Sequence, residues 1–117
     1  MTAAQYDITL DRAADYNLTV SVQNSAGSPV NLTGAAIYAE IRDYNTKKEV
    51  VAFTTVGSSL STGVIALSLT EANTKLLNTK TRYEWDLFLV RTGTVTERLL
   101  YGDLTCRQNY YKGSPID

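Results

Sequence analysis

A chain of 117 residues, 44% apolar and 20% charged, is one domain's worth and long enough to bury a single core without disulfide or metal staples. Eleven basic residues against twelve acidic leave a net charge of −1, which excludes the basic footprint of a nucleic-acid binder. No stretch has the apolar length of a membrane-spanning helix, and the start, Met1-Thr2-Ala3-Ala4-Gln5, lacks the basic and apolar regions of an export signal, so folding in a cytoplasm is expected.

Taken in order, Tyr6, Ile8 and Leu10 alternate with Asp7 and Thr9, which predicts a first strand of about six residues with those three on one face. After a polar link at 11–15, Tyr16, Leu18, Val20 and Val22 alternate with Asn17, Thr19, Ser21 and Gln23. This is the cleanest period-two pattern in the chain. Its polar partners are small and uncharged, so that face suits either solvent or another protein. Asn24-Ser25-Ala26-Gly27-Ser28-Pro29 is a turn on composition. Leu32 is expected to plug one end of the core. Ile37, Ala39 and Ile41 then point inward, and Tyr38, Glu40 and Arg42 outward. Residues 43–48 connect to a shorter strand at 50–53, and the Ser- and Gly-rich residues 56–63 are expected to form the most flexible loop.

From Gly63 the chain alternates again, with Ile65, Leu67 and Leu69 on one face. Thr70 offers a hydroxyl to cap a short helix, Glu71 suits its first turn, and Leu76 and Leu77 are placed to pin it. Tyr83, Trp85, Leu87 and Leu89 follow as the heaviest apolar face in the sequence. After a turn around Gly93, the return strand carries Leu100, Leu104 and Cys106 in phase, with Leu99 and Tyr101 opposite. Gly102, inside that strand, predicts a bulge or a close approach of backbone. The residues 109–117 lose all alternation and read as a C-terminal arm, leaving 1–108 as a single β-sandwich domain. About seven strands, with one short helix where a sheet-to-sheet corner is needed, predict an all-β, immunoglobulin-like Greek-key sandwich. Tyr83 is then either a corner tyrosine tying helix to strand or an ordinary core-edge residue.

The chemistry is sparse. The chain has no histidine, which removes the usual general base and the commonest metal ligand. Cys106 is alone and lies in an apolar phase, so a buried small residue is expected. Glu84 and Asp86 share one face about 7 Å apart by strand rise. On an open sheet face they are expected to be solvated carboxylates near Arg42 or Arg98, not an acid–base pair. Asp7, Asp11 and Asp15 match no calcium loop. No catalytic, metal-ligating or cofactor-binding residue is therefore expected, and no cofactor. Tyrosine supplies large contact area at low entropic cost. Tyr38, Tyr44, Tyr110 and Tyr111 are thus the candidate partner contacts, beside the polar face of 16–23, the loop 58–62 and the tail from 110 onward. Tyrosines on a β-surface also stack on sugar rings, so a carbohydrate-binding module is the alternative.

Several stretches together resemble a known family. They are the turn and strand entry Gly27-Ser28-Pro29-Val30-Asn31-Leu32-Thr33-Gly34, the strand Ala36-Ile37-Tyr38-Ala39-Glu40-Ile41-Arg42, and Gly63-Val64-Ile65-Ala66-Leu67-Ser68-Leu69-Thr70 with its helix. Tyr83-Glu84-Trp85-Asp86-Leu87 and Arg98-Leu99-Leu100-Tyr101-Gly102-Asp103-Leu104 complete the set. In this order they are similar to small immunoglobulin-like proteins and domains of tailed-bacteriophage virions, among them the N-terminal domain of upper baseplate proteins. The resemblance implies a non-enzymatic structural subunit of baseplate, tail, neck or capsid decoration. It also implies other virion proteins as partners, a homo-oligomer in the particle, and assembly inside the host cytoplasm. It carries over no catalytic or metal residue and implies no nucleic acid or membrane partner.

Overall fold

The computed structural model describes residues 4–55, 59–91, 95–108, 110–111 and 114–115. Among the described residues eight strands build the sandwich: β1 Ala4–Gln5, β2 Ile8–Asp11, β3 Tyr16–Ser21, β4 Ala36–Asp43, β5 Glu49–Ala52, β6 Val64–Leu69, β7 Tyr83–Arg91 and β8 Val95–Arg107. A single helical turn, α1 Glu71–Thr74, sits between β6 and β7, and β9 Tyr110–Tyr111 pairs with β10 Ser114–Pro115 as a small antiparallel hairpin. The large sheet has the order β1-β8-β7-β4-β5, with β2 following β1 alongside β8; the small sheet is β3-β6. The connections from β2 to β3, β3 to β4, β5 to β6 and β6 to β7 all change sheets, which gives the immunoglobulin-like Greek key. Pairing is antiparallel except for β1 and β2, which run parallel to β8.

The period-two patterns explain the layers. Ile41, Trp85, Leu87, Leu89 and Leu104 face inward from the large sheet and meet Ile65, Leu67 and Leu69 from the small one, all essentially inaccessible to water. Trp85 is the centre of this packing. Its ring meets Phe53 edge-on at 5.8 Å and Tyr6 at 6.4 Å, and its Nε1–H donates to the Tyr6 carbonyl at 2.7 Å. Phe53 reaches the core because the chain leaves the large sheet there. Its N–H still bonds Ala39 O, but Thr54 exchanges two bonds with Ser68 of β6.

The corner between β6 and β7 is closed by side chains. Thr70 accepts from the Asn73 N–H while Asn73 accepts from the Thr70 N–H, a reciprocal cap on α1. Thr74, fully buried, donates to Ala14 O at 2.9 Å and accepts from Ala14 N–H. Arg12 covers the other end of the turn by donating to the carbonyls of Leu77 and Lys75. The Tyr83 hydroxyl accepts from Asn78 N–H at 2.7 Å, so Tyr83 is a corner tyrosine holding the loop that follows α1. Of the two leucines expected to pin the helix, Leu77 is buried and Leu76 is exposed.

Three further expectations are corrected. The first strand is two short ones, and Tyr6, 45% exposed, does not share the buried face of Ile8 and Leu10. The chain passes so close over Gly102 that the Tyr6 carbonyl occupies the place of a β-carbon there, while Asp7 accepts from Asp103 N–H. Leu99, expected outward, is only 5% exposed. Leu87 pairs with Leu100 and Phe88 with Arg98, so Leu99 is the extra residue of a bulge and turns into the core. The 60–62 segment is a 3-10 turn anchored by Leu32 N–H on Leu60 O at 2.7 Å, tighter than its composition suggests; residues 56–58 of that loop lie outside the described residues.

Candidate functional site

The outward side chains of β4, β7 and β8 make the most richly functionalised surface. Cross-strand register sets three rows: Tyr38–Phe88–Arg98, Glu40–Asp86–Tyr101 and Arg42–Glu84–Asp103. Each row exists because alternate residues of neighbouring strands share a face.

Asp86 departs from the sequence expectation. It is 2% exposed, not solvated. Because β7 is central, its outward residues are flanked on both sides, and Arg42 on β4, directly opposite Glu84, reaches diagonally to Asp86. The Arg42 fork donates Nη1 to Oδ1 at 2.9 Å and Nη2 to Oδ2 at 2.7 Å. Arg42 Nε also lies 3.5 Å from Glu84 Oε1, which Lys47 Nζ approaches to 3.2 Å. The hydrogen bonds to Asp86 push the Arg42 guanidinium above its ordinary, already high pKa, against an opposing pull from burial. Arg42 therefore stays charged, and both carboxylates are paired with cations. A shallow depression of about 250 Å³ opens over this network, bordered by Gln5, Arg42, Glu84, Asp86, Arg98 and Tyr101. Chemically the arrangement offers ion pairing and a polar, aromatic-edged surface. Among the described residues no group of three acidic, histidine or cysteine side chains converges as a metal site.

The tyrosines fall out differently. Tyr38 projects from β4 and is 53% exposed, outward as its place in the alternation predicts. Tyr44 lies in the turn after β4, with the Arg82 guanidinium 3.6 Å and the Lys47 ammonium 4.4 Å from its ring centroid. Tyr101, which sequence reasoning did not select, is also exposed and carries Arg98 at 4.9 Å. The side chains of Tyr110 and Tyr111 lie outside the described residues. Cys106 is buried, and burial pushes its thiol pKa up, away from reactivity. No described helix is long and apolar enough to cross a membrane.

The model of the LtfC-like, β-sandwich domain family matches residues 2–106, the whole two-layer body. This chain belongs to the LtfC-like family. Among solved structures, the LtfC-like domain is similar to a chain in the crystal structure of ICOS in complex with ICOS-L and an anti-ICOS-L VNAR domain. The TM-score is 0.56 at 11% identity, over 92% of the LtfC-like domain and 57% of that chain. The likeness concerns the fold alone, and the LtfC-like domain spans little more than half of that chain's length. No curated protein matches the sequence.

Proposed function

We propose that this LtfC-like protein is a non-enzymatic structural subunit of a tailed-phage virion. It holds neighbouring virion proteins in place, self-associates in the particle, and is assembled in the host cytoplasm. The observation that carries the reading is the extent of the family match: an LtfC-like β-sandwich domain accounts for residues 2–106, which supports a structural body over a catalytic one. The ordered sequence resemblance to immunoglobulin-like baseplate domains supports the same reading. The one carboxylate pair that invites a catalytic role, Glu84 and Asp86, is held by Arg42 and Lys47. Contacts are then made by exposed surface, with Tyr38 on the large sheet as a first point of attachment. Repetition in the particle lets each contact be weak.

Immunogold labelling of intact particles is the test. Regular labelling at one position in the particle is expected, and a protein found only in the lysate, never in particles, overturns the reading. The carbohydrate alternative rests on Tyr38 and Tyr101 being exposed on one sheet face. It predicts glycan-array binding by the isolated chain that is lost on Tyr38→Ala.

A further inference from the structure

In the small sheet, β3 has β6 on one side and no strand on the other among the described residues. The ladder dictates which backbone groups face that open side. Val22 N–H donates to Gly63 O at 2.8 Å, and this pair continues the register of Val20 with Ile65, Leu18 with Leu67 and Tyr16 with Leu69. In an antiparallel ladder every second residue exchanges bonds with the same neighbour. Tyr16, Leu18 and Val20 therefore bond to β6. The N–H and C=O groups of Asn17, Thr19 and Ser21 point out from the edge.

Edges are normally blunted by charge, proline or a bulge. β5, at the edge of the large sheet, follows that rule. Glu49 lies within it, Lys47 and Lys48 precede it, and its register against β4 shifts at Ile41/Arg42. β3 carries none of these devices. Residues 16–23 contain no charge and no proline, and the pairing with β6 runs without a shift. A groove of about 160 Å³ opens beside the edge, lined by Ala4, Val20, Val22, Leu99 and Leu100 among others. Tyr16, Leu18 and Val20 pack on the core yet stay only partly buried.

We propose that this edge pairs with the same edge of a second copy, antiparallel about a two-fold axis at Thr19. In that register Thr19 stands opposite Thr19 of the partner subunit, and Asn17 opposite the partner's Ser21. These are the residues whose amides and carbonyls point outward, so each pair exchanges two bonds, about six in all. Leu18 then faces the partner's Val20 in the closer, non-hydrogen-bonded sites, where apolar side chains cover one another. No charge meets a charge anywhere along the contact. The segment matches its own reverse, small polar residues on one face and apolar on the other, which is what an isologous pairing requires and what selects a second copy. Two two-stranded sheets become one of four strands, past the width at which a sheet stands well alone.

The proposal deepens the self-association in the virion reading, but it is tested on the isolated chain, so particle labelling and this test fail independently. Sedimentation equilibrium over a concentration series reads the association. The unaltered chain is expected to dimerise. Thr19→Lys, at an exposed position, sets two like charges face to face on the axis and is expected to weaken dimerisation at least about tenfold with unchanged thermal unfolding. Hydrogen-bonded pairs stand about 5.5 Å apart at Cα, within disulfide range, so Thr19→Cys is expected to give a covalent dimer on oxidation. Asn45→Cys, in an exposed turn, is expected to give none. A chain that stays monomeric with no cross-link from Thr19→Cys, or a dimer that Thr19→Lys leaves intact, overturns the proposal.

Discussion

The large and the small sheet enclose one core, but their strands are held in register by different means. β7 has neighbours on both sides, and polar devices lock it: the Arg42 fork on Asp86, the Trp85 indole on the Tyr6 carbonyl, and the bulge that turns Leu99 inward. β3 and β6 have one ladder between them and an outer face on which β3 sets the uncharged Asn17, Thr19 and Ser21. A one-residue slip anywhere would move an entire apolar set to the wrong face. The large sheet resists slippage with directional bonds. The small sheet relies on the shape of the core and on its ends, at Gly63 and Thr74. Polar specificity is concentrated where strands are many, and the sheet with the fewest strands keeps an edge to offer.

The largest expected effect breaks the large sheet's lock. Asp86→Ala takes both acceptors of the Arg42 fork from a dry strand and leaves only Glu84 beside it, and chemical denaturation should show a loss of about 2–4 kcal/mol. The loss extends below the usual range of about 3–5 kcal/mol for a fully buried pair because the Arg42 side chain keeps 22% exposure. A loss below about 1 kcal/mol would mean that the pair behaves as a surface ion pair and that register is held elsewhere. Next come two glycines, one per sheet. At Gly63, φ is +73° and a β-carbon would lie 2.6 Å from Val22 O and 2.7 Å from Val30 O. Gly63→Ala should cost about 2–3 kcal/mol from strain and overlap together. Gly102 has ordinary φ and suffers overlap alone, against the Tyr6 carbonyl, so Gly102→Ala should cost about 1–3 kcal/mol and shift Trp85 fluorescence as its hydrogen bond is disturbed. An unshifted Trp85 emission would show that β1 adapts without moving Tyr6.

Tyr83→Phe removes the corner bond to Asn78 N–H and should lower stability by about 1 kcal/mol in the same denaturation assay, with the fold retained. The smallest effect is on pH. Burial raises the Cys106 thiol pKa in the folded chain, so the folded state holds a proton that the unfolded state releases first. That contribution is complete below about pH 8.5, the ordinary thiol value, and is lost as pH rises above it. Burial raises the Tyr16 pKa as well, with the same sign at higher pH. Stability against pH should therefore fall on the alkaline side, and Cys106→Ala should flatten the first part of that fall.

Much of this was legible in the sequence because a strand with one buried face writes its period directly. Ile65, Leu67 and Leu69, or Tyr83, Trp85, Leu87 and Leu89, point inward as their spacing demands. The Thr70 cap and the Gly102 close approach were legible from residue type. Leu99 was not, because a bulge shifts the phase by one residue and leaves composition unchanged. Tyr6 misled because the chain passes over Gly102 there: its carbonyl takes the Trp85 N–H, and its ring meets Trp85 edge-on with the residue still 45% exposed. Asp86 misled because burial on an outer face depends on which strand is central and on what lies across from it. The pairing of Arg42 with Asp86 needs the register of β4 on β7, which no local pattern contains.

The parallel run of β1 and β2 along β8 has a mechanical consequence. The first strands of the chain and the last long one lie side by side and point the same way, Ala4 beside Leu100 and Asp11 beside Arg107. Tension between the two ends drags them past each other instead of peeling them apart, so the bonds between them carry the load together. In single-molecule pulling, the molecule should give way at one high force and all at once.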